Sequence, residues 1–322
     1  MYKIKQSMDS VNYGGYFHTG GPLDMKQIID KAAGFGYEAV DIWPHRPLMS
    51  PQDWNRQQRK DLLAYASDRG IQFAALDACT NFMRPEHILA PRYEKEIAYL
   101  RECCELAVDM NCHTVRILPA FIGYFWGEYY NKGYCQTAMQ SRTLEVSTQD
   151  DYLREWESVR QGIHDAGLMA KQFDVVLALQ GHPPVINCVA DLFDMVDEVG
   201  LDNIGFGLDL PLFDHPGNEE FIVETVRRAG KKMFHSHTLG NGLRYGPCDV
   251  VYATEEVVPG DGLENWIPFF KTCKEIEYKG YFAYEQCAPF LVKGHKKPDV
   301  AVIDARQKKG FDFIKSLEEK IS

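Results

Sequence analysis

Eight short apolar runs of strand character, each followed by a stretch with helical spacing, predict a (β/α)8 barrel folded as a single domain over residues 1–322. Two absences separate that class from an open doubly wound sheet. No GxGxxG follows the first run and no GxxxxGKS/T loop occurs, so that sheet's common phosphate cradles are missing. No internal repeat, low-complexity segment or linker divides the chain.

The strand runs are KIKQSMD from Lys3, EAVDIW from Glu38, IQFAALD from Ile71 and HTVRIL from His113, then DVVLALQ from Asp174, NIGFGLDL from Asn203, KMFHSHT from Lys232 and GYFAYEQ from Gly280. Helical stretches are expected at 24–34, 51–69, 91–110, 149–171, 188–199, 218–229, 263–277 and about 299–320. Within 91–110, Tyr93, Ile97, Leu100, Cys104 and Ala107 recur at three- and four-residue spacing, an amphipathic stripe. Gly34, Gly36 and Gly70 stand where helix ends need a residue tolerant of positive φ. The fourth unit is interrupted by a long aromatic segment, about 119–148, expected on the active face.

Composition narrows the function. Hydrophobic residues make up 45% and aromatics 12%, ample for a core and incompatible with a disordered or collagen-like chain. Against 46 acidic residues stand 35 Lys and Arg, a net charge of −11 that argues against nucleic acid, whose phosphates call for cations. No apolar run approaches the ~20 residues of a membrane span. The first residues, MYKIKQSMDS, hold no apolar signal core, and nine cysteines without CxxC spacing read as reduced thiols. A cytoplasmic enzyme with neither membrane nor nucleic-acid partner is the expectation.

In such a barrel the active site lies at the carboxyl ends of the strands, so the polar residue closing each apolar run is the place to look. The last four runs supply Gln180, with His182 two residues on, then Asp209, then His235 and His237 on one face, then Glu285. Taken singly, an Asp after a strand is a turn or cap, a strand His is a hydrogen-bonded structural group, and Gln180 is nothing. Taken together, four such residues at matching heights on neighbouring strands form an O and N ligand set suited to a divalent cation.

On these residues the chain resembles the xylose isomerase-like TIM barrels of the sugar phosphate isomerase/epimerase group, which includes ketose 3-epimerases. The likeness extends to the opening strand, the DIW segment at Asp41, and VPGDGLENW, where Pro259 to Gly262 followed by Trp266 is similar to the family's PGxGxxxW loop. It implies metal ligands in the order Glu, Asp, His, Glu, here Gln180, Asp209, His237 and Glu285. The expected ion is Mn²⁺, with Co²⁺, Mg²⁺ and Zn²⁺ as alternatives. Three departures bear on the reaction. Gln180 replaces the strand-five glutamate and cannot take a proton. Leu212 stands at the family's epimerase histidine, and Arg244 is one residue out of register with the epimerase arginine.

Within the family the chain looks most like the large subunit of bacterial C-glycoside deglycosidases, on VNYGGYFHTGGPL, DIWPHRPL, LALQGHPP and the aromatic segment. That resemblance implies Mn²⁺, a small β-rich partner subunit and cleavage of 3-oxo-C-glycosides. A cation binding the C3 carbonyl oxygen would favour loss of the C2 proton to Glu285 or a nearby imidazole, and the intermediate would expel the C1 substituent. His182 or His45 would protonate the leaving group. His18, Arg116, Trp126 and Arg244 are candidate substrate contacts, although the histidines also read as structural and Arg116 as a salt-bridge partner of Asp41. The segment FIGYFWGEYYNKGY, from Phe121 to Tyr134, reads as a lid or platform that would bring Glu128 and Glu145 to the site, or as a packed loop or an oligomer contact. The alternatives are a sugar or inosose epimerase, isomerase or dehydratase of the same family, and a non-catalytic barrel subunit with a degenerate metal site.

Overall fold

The computed structural model describes residues 2–84, 92–121, 149–245, 251–286, 290, 292 and 296–321. Its strands are β1 Gln6–Asp9, β2 Ala39–Ile42, β3 Gln72–Asp77, β4 Thr114–Ile117, β5 Val176–Gln180, β6 Ile204–Gly207, β7 Met233–His235, β8 His237–Thr238, β9 Gly240–Tyr245, β10 Val251–Val257 and β11 Phe282–Tyr284. Its helices are α1 Met25–Phe35, α2 Arg56–Ser67, α3 Arg92–Asp109, α4 Gln149–Ala170, α5 Val189–Val199, α6 Glu219–Ala229, α7 Trp266–Glu275, α8 Val300–Ser316 and α9 Glu318–Ile321.

One parallel sheet runs in the order β7-β6-β5-β4-β3-β2-β1-β11-β8. β7 and β8 are one strand interrupted at Ser236, β7 pairing with β6 and β8 with β11. The interruption closes the ring: the His235 carbonyl accepts from Leu208 N–H at 3.0 Å and the Ser236 carbonyl from Ala283 N–H at 2.9 Å. The nine segments thus fill the eight strand positions of the predicted barrel.

Alternation along each strand decides what enters the lumen. Val40, Ile42, Val115, Ile117, Leu177 and Leu179 are fully buried, and their lumen-facing alternates are Asp41, Arg116 and Gln180. The helices begin where the sequence offers caps. Asp24 with Gln27, and Asn55 with Gln58, form reciprocal capping boxes. Asn55 therefore starts α2 later than the hydrophobic pattern suggests, and residues 51–53 form a turn. α7 seats Trp266, Phe269 and Phe270 against the barrel, with the Phe270 and Phe282 rings 4.9 Å apart; each such ring contributes roughly 1.5–3 kcal/mol by burial. At Gly205 in β6, a Cβ would collide with the Lys232 carbonyl, so the close β6–β7 approach requires glycine.

Two features differ from the sequence reading. An antiparallel hairpin, β9–β10, is inserted between β8 and α7, where the sequence reading placed no strand. The C-terminal helix is divided at Leu317 into α8 and α9. Among the described residues no helix is long and apolar enough to cross a membrane.

Candidate metal centre

Every strand position delivers a polar side chain to one mouth of the barrel: Asp9, Asp41, Asp77, Arg116, Gln180, Asp209, His235 with His237, and Glu285, none more than 4% exposed. Charged groups are almost never buried so completely unless they are paired or hold an ion.

Gln180, Asp209, His237 and Glu285 come together. Asp209 Oδ1 accepts the backbone N–H of His237 at 2.6 Å, and its Oδ2 lies 3.1 Å from His237 Nδ1. The Gln180 amide donates to Asp209 Oδ2 and is 3.2 Å from the same imidazole nitrogen. Glu285 Oε2 is 3.5 Å from His237 Nδ1, and its other oxygen is 3.4 Å from Arg116 Nη2. Asp9 joins this group, since Asp9, His237 and Glu285 each place a ligand atom within 4.8 Å of the others. Behind it, His237 Nε2 faces Asp77 Oδ1 at 3.4 Å and His235 Nε2 faces Asp41 Oδ2 at 2.7 Å.

The electrostatics are lopsided. Five carboxylates (Asp9, Asp41, Asp77, Asp209 and Glu285) share this volume with one guanidinium and two imidazoles. Burial alone would lower the His237 pKa, yet the carboxylates of Glu285, Asp209 and Asp77 raise it well above its ordinary value. Burial, and then Asp77 and Glu285, push the Asp9 carboxyl up. Burial opposes ionisation of Asp77 too, but Arg116 and His237 hold its carboxyl below the usual range. The shifts at His237 and Asp9 both favour the more positive, protonated form, as expected where carboxylates outnumber the fixed cations. Asp9 Oδ2, Asp41 Oδ1, Asp77 Oδ2, His235 Nδ1 and His237 Nε2 are moreover buried without a hydrogen-bond partner, each a costly state for a polar atom. Excess negative charge, unsatisfied buried atoms and an O/N donor set fit a divalent cation.

A family model described as a xylose isomerase-like TIM barrel matches residues 29–306. The chain belongs to the xylose isomerase-like TIM barrel family. Among curated relatives of this family member, an inosose dehydratase of Geobacillus kaustophilus (strain HTA426) is 21% identical over 281 residues, covering 83% of this chain and 81% of that protein. Among solved structures, the IolI protein with a bound zinc atom is 17% identical with a TM-score of 0.67, covering 97% of this chain and 98% of that one. The 3-keto-D-glucoside 4-epimerase YcjR from E. coli, in its apo form, is 11% identical with a TM-score of 0.65, covering 96% and 100%.

The remaining predicted residues of this xylose isomerase-like barrel fall in different places. Arg116 does not pair with Asp41. Its Nε donates to Asp77 Oδ1 at 3.1 Å, because Asp77 is its Cα partner on the adjacent strand, while Asp41 is taken by His235. His18 is buried, and its Nδ1 donates to the Thr19 carbonyl at 2.8 Å, which leaves Nε2 as an acceptor without a partner. His182 lies half-buried beyond β5; burial, then Arg116, push its pKa down to about 4. Trp126, Glu128, Glu145 and the side chain of Arg244 lie outside the described residues. The reading of the sequence missed Asp9 and Asp77 as site residues, although they close KIKQSMD and IQFAALD as Asp209 and Glu285 close theirs. It also missed Cys79, whose N–H donates to His45 Nε2 at 3.0 Å.

His45 itself packs against Trp43 with tilted rings whose centroids are 4.9 Å apart, and meets the Tyr99 hydroxyl at 3.0 Å. Burial, then Arg116, push its pKa down to about 4 from 6.5, so the ring is neutral near pH 7. The unfolded chain binds this proton more readily, so the stability it contributes is full above pH 6.5 and is lost as pH falls toward 4. Urea midpoints measured across that window should decline less in His45→Gln than in wild type. Equal slopes would show that other groups carry the acid sensitivity.

Proposed function

We propose that the chain is a divalent-metal-dependent enzyme that removes the proton from a carbon beside the carbonyl of an oxidised sugar or cyclitol, followed by elimination of the neighbouring substituent. A 3-oxo-glycoside, cleaved as a C-glycoside deglycosidase would cleave it, is the favoured substrate. The observation that carries this reading is the arrangement around His237. Of the two positions where the family resemblance expects a glutamate, one keeps its carboxylate, Glu285, which lies 3.5 Å from His237 and 3.4 Å from Arg116, and the other is taken by the Gln180 amide, 3.2 Å from the same imidazole.

Gln180, Asp209, His237 and Glu285 would hold the cation, which when bound supplies Lewis-acid polarisation of the substrate carbonyl. Glu285 takes the proton from C2. The C2–H electrons form the C1–C2 double bond as the bond from C1 to its substituent breaks, and the departing group takes a proton from water, for which the imidazoles of His182 and His45, held neutral by their lowered pKa values, are the candidate hydrogen-bond partners. His18 Nε2, buried and without a partner, offers an acceptor to a sugar hydroxyl. Beside Asp209 lies a cavity of about 230 Å³ whose wall includes Ile186, Leu212 and Phe213. Apolar side chains there favour a substrate with an apolar substituent.

A second reading, a dehydratase of the same family, is favoured by the relationship to inosose dehydratase over most of the chain. Dehydration is the same elimination with hydroxide as leaving group, so the two readings differ in substrate and share the base.

The test is elemental analysis of purified protein, followed by product analysis after Mn²⁺ reconstitution with 3-oxo-glycosides and with inososes. About one ion per chain and release of aglycone are expected, and water loss from an inosose would select the second reading. Epimerised product alone would overturn the elimination. No metal uptake would leave a barrel that binds without catalysing. Gln180→Glu should retain the ion and, with a second base restored, yield some epimerised product.

A further inference from the structure

The Glu285 carboxylate is aimed at the metal centre from a stretch of backbone that has left the sheet. β11 ends at Tyr284, and its pairing with β1 stops at Met8↔Tyr284. Beyond that point β1 bends into a 3₁₀ turn, Ser10–Tyr13, fixed by Asp9, which accepts the Val11 N–H at 2.8 Å. The peptide groups flanking Glu285 are thereby deprived of a strand partner. Asn12, fully buried on that turn, takes the strand's place. Its Nδ2 donates to the Tyr284 carbonyl at 2.7 Å, and its Oδ1 accepts from the Gln286 N–H. One planar amide thus grips the main chain immediately before and immediately after Glu285. Arg306 adds a further hold, its Nε donating to Gln286 Oε1 at 3.1 Å. An ionised carboxylate at position 12 would have no donor for the Tyr284 carbonyl, and a methyl group would offer neither half of the grip.

We propose that Asn12 is a positioning residue for Glu285, setting the direction in which the carboxylate meets the bound cation. This rests on the reading of Glu285 as a metal ligand and base. Partners that orient ligands without touching the ion typically cost about 10–100-fold in metal affinity when removed, and loss of the Asn12 amide is expected to act in that range.

The experiment is titration of metal-stripped protein with Mn²⁺, following free ion by electron paramagnetic resonance, with the thermal midpoint of each metal-free protein measured in parallel. The variants are Asn12→Ala, Asn12→Asp and a control, Asn203→Ala. Asn203 is also a buried amide bonded to two carbonyls, of Gly167 at 3.0 Å and Val175 at 3.3 Å, but it lies at the opposite end of the barrel. The expected result is that both Asn12 variants bind Mn²⁺ about 10–100-fold more weakly, while Asn203→Ala loses thermal stability and keeps wild-type affinity. Wild-type affinity in the Asn12 variants, or an equal loss in Asn203→Ala, would overturn the proposal. Should Asn12→Ala fail to fold, the isosteric Asn12→Asp decides by the same criterion. Wild-type protein that takes up no Mn²⁺ would instead remove the reading of Glu285 as a ligand, and this inference with it.

Discussion

Glu285→Gln is expected to lose about 10²–10⁴-fold in turnover at saturating Mn²⁺, the usual contribution of a positioned general base. The substitution keeps the shape of the side chain and an oxygen for Arg116 Nη2, now 3.4 Å from the carboxylate, so the barrel should fold as before. What it removes is the capacity to accept a proton, since an amide oxygen is no base near neutral pH. It also removes one negative charge from the ligand set, so Mn²⁺ affinity should fall as well. For that reason kcat at saturating metal is the decisive quantity. Asp9 is the neighbouring carboxyl to be excluded, because it shares the cluster with His237 and Glu285. Burial, Asp77 and Glu285 all push its pKa up, so it gives up its proton less readily than an ordinary carboxyl, which counts against it as the free base. Undiminished kcat in Glu285→Gln would sink the assignment of the base and shift attention to Asp9.

The barrel was legible because each βα unit announces itself locally: an apolar run, a polar terminus, a capped helix. Asp24 with Gln27 and Asn55 with Gln58 are signals a reader of the sequence can use, and the structure uses them. The convergence of Gln180, Asp209, His237 and Glu285 was legible for the same reason, since each ends its run at the same height. What escaped the sequence depends on contacts across the barrel. The reach of His235 from β7 to Asp41 on β2 spans the lumen, and only ring closure brings those strands face to face. Once Asp41 is taken in that way, Arg116 turns to its in-register neighbour Asp77. The break at Ser236 is likewise set by closure, because the strand must serve β6 on one side and β11 on the other.

Arg116 is the fixed cation on which this balance depends, and its removal should be the most destabilising single change at the mouth. It is 1% exposed, and it pairs with Asp77 at 3.1 Å and Glu285 at 3.4 Å. Arg116→Met keeps much of the aliphatic stem and deletes the charge. The carboxylates left behind are buried and uncompensated, a situation that typically costs about 3–5 kcal/mol. At roughly 2–4 °C per kcal/mol for a large domain, the metal-free variant should melt about 6–20 °C lower near pH 7.5. The deficit should depend on pH with a definite sign. Without the guanidinium, Asp77 loses the largest of the influences that depress its pKa, and burial, opposed only by the imidazoles, moves it up. A carboxyl whose folded pKa is raised binds protons more readily than in the unfolded chain, so stability returns as pH falls from neutral toward the ordinary carboxylate range. Calorimetry of wild type and Arg116→Met at pH 7.5 and 5.5 therefore carries two expectations: a large gap at the higher pH and a smaller one at the lower. Saturating Mn²⁺ should narrow the gap at pH 7.5 as well, because a cation among these carboxylates supplies the charge the arginine gave. A variant that melts with wild type at pH 7.5 would mean that the five carboxylates are already neutralised by protons, and that Arg116 serves the substrate rather than the fold.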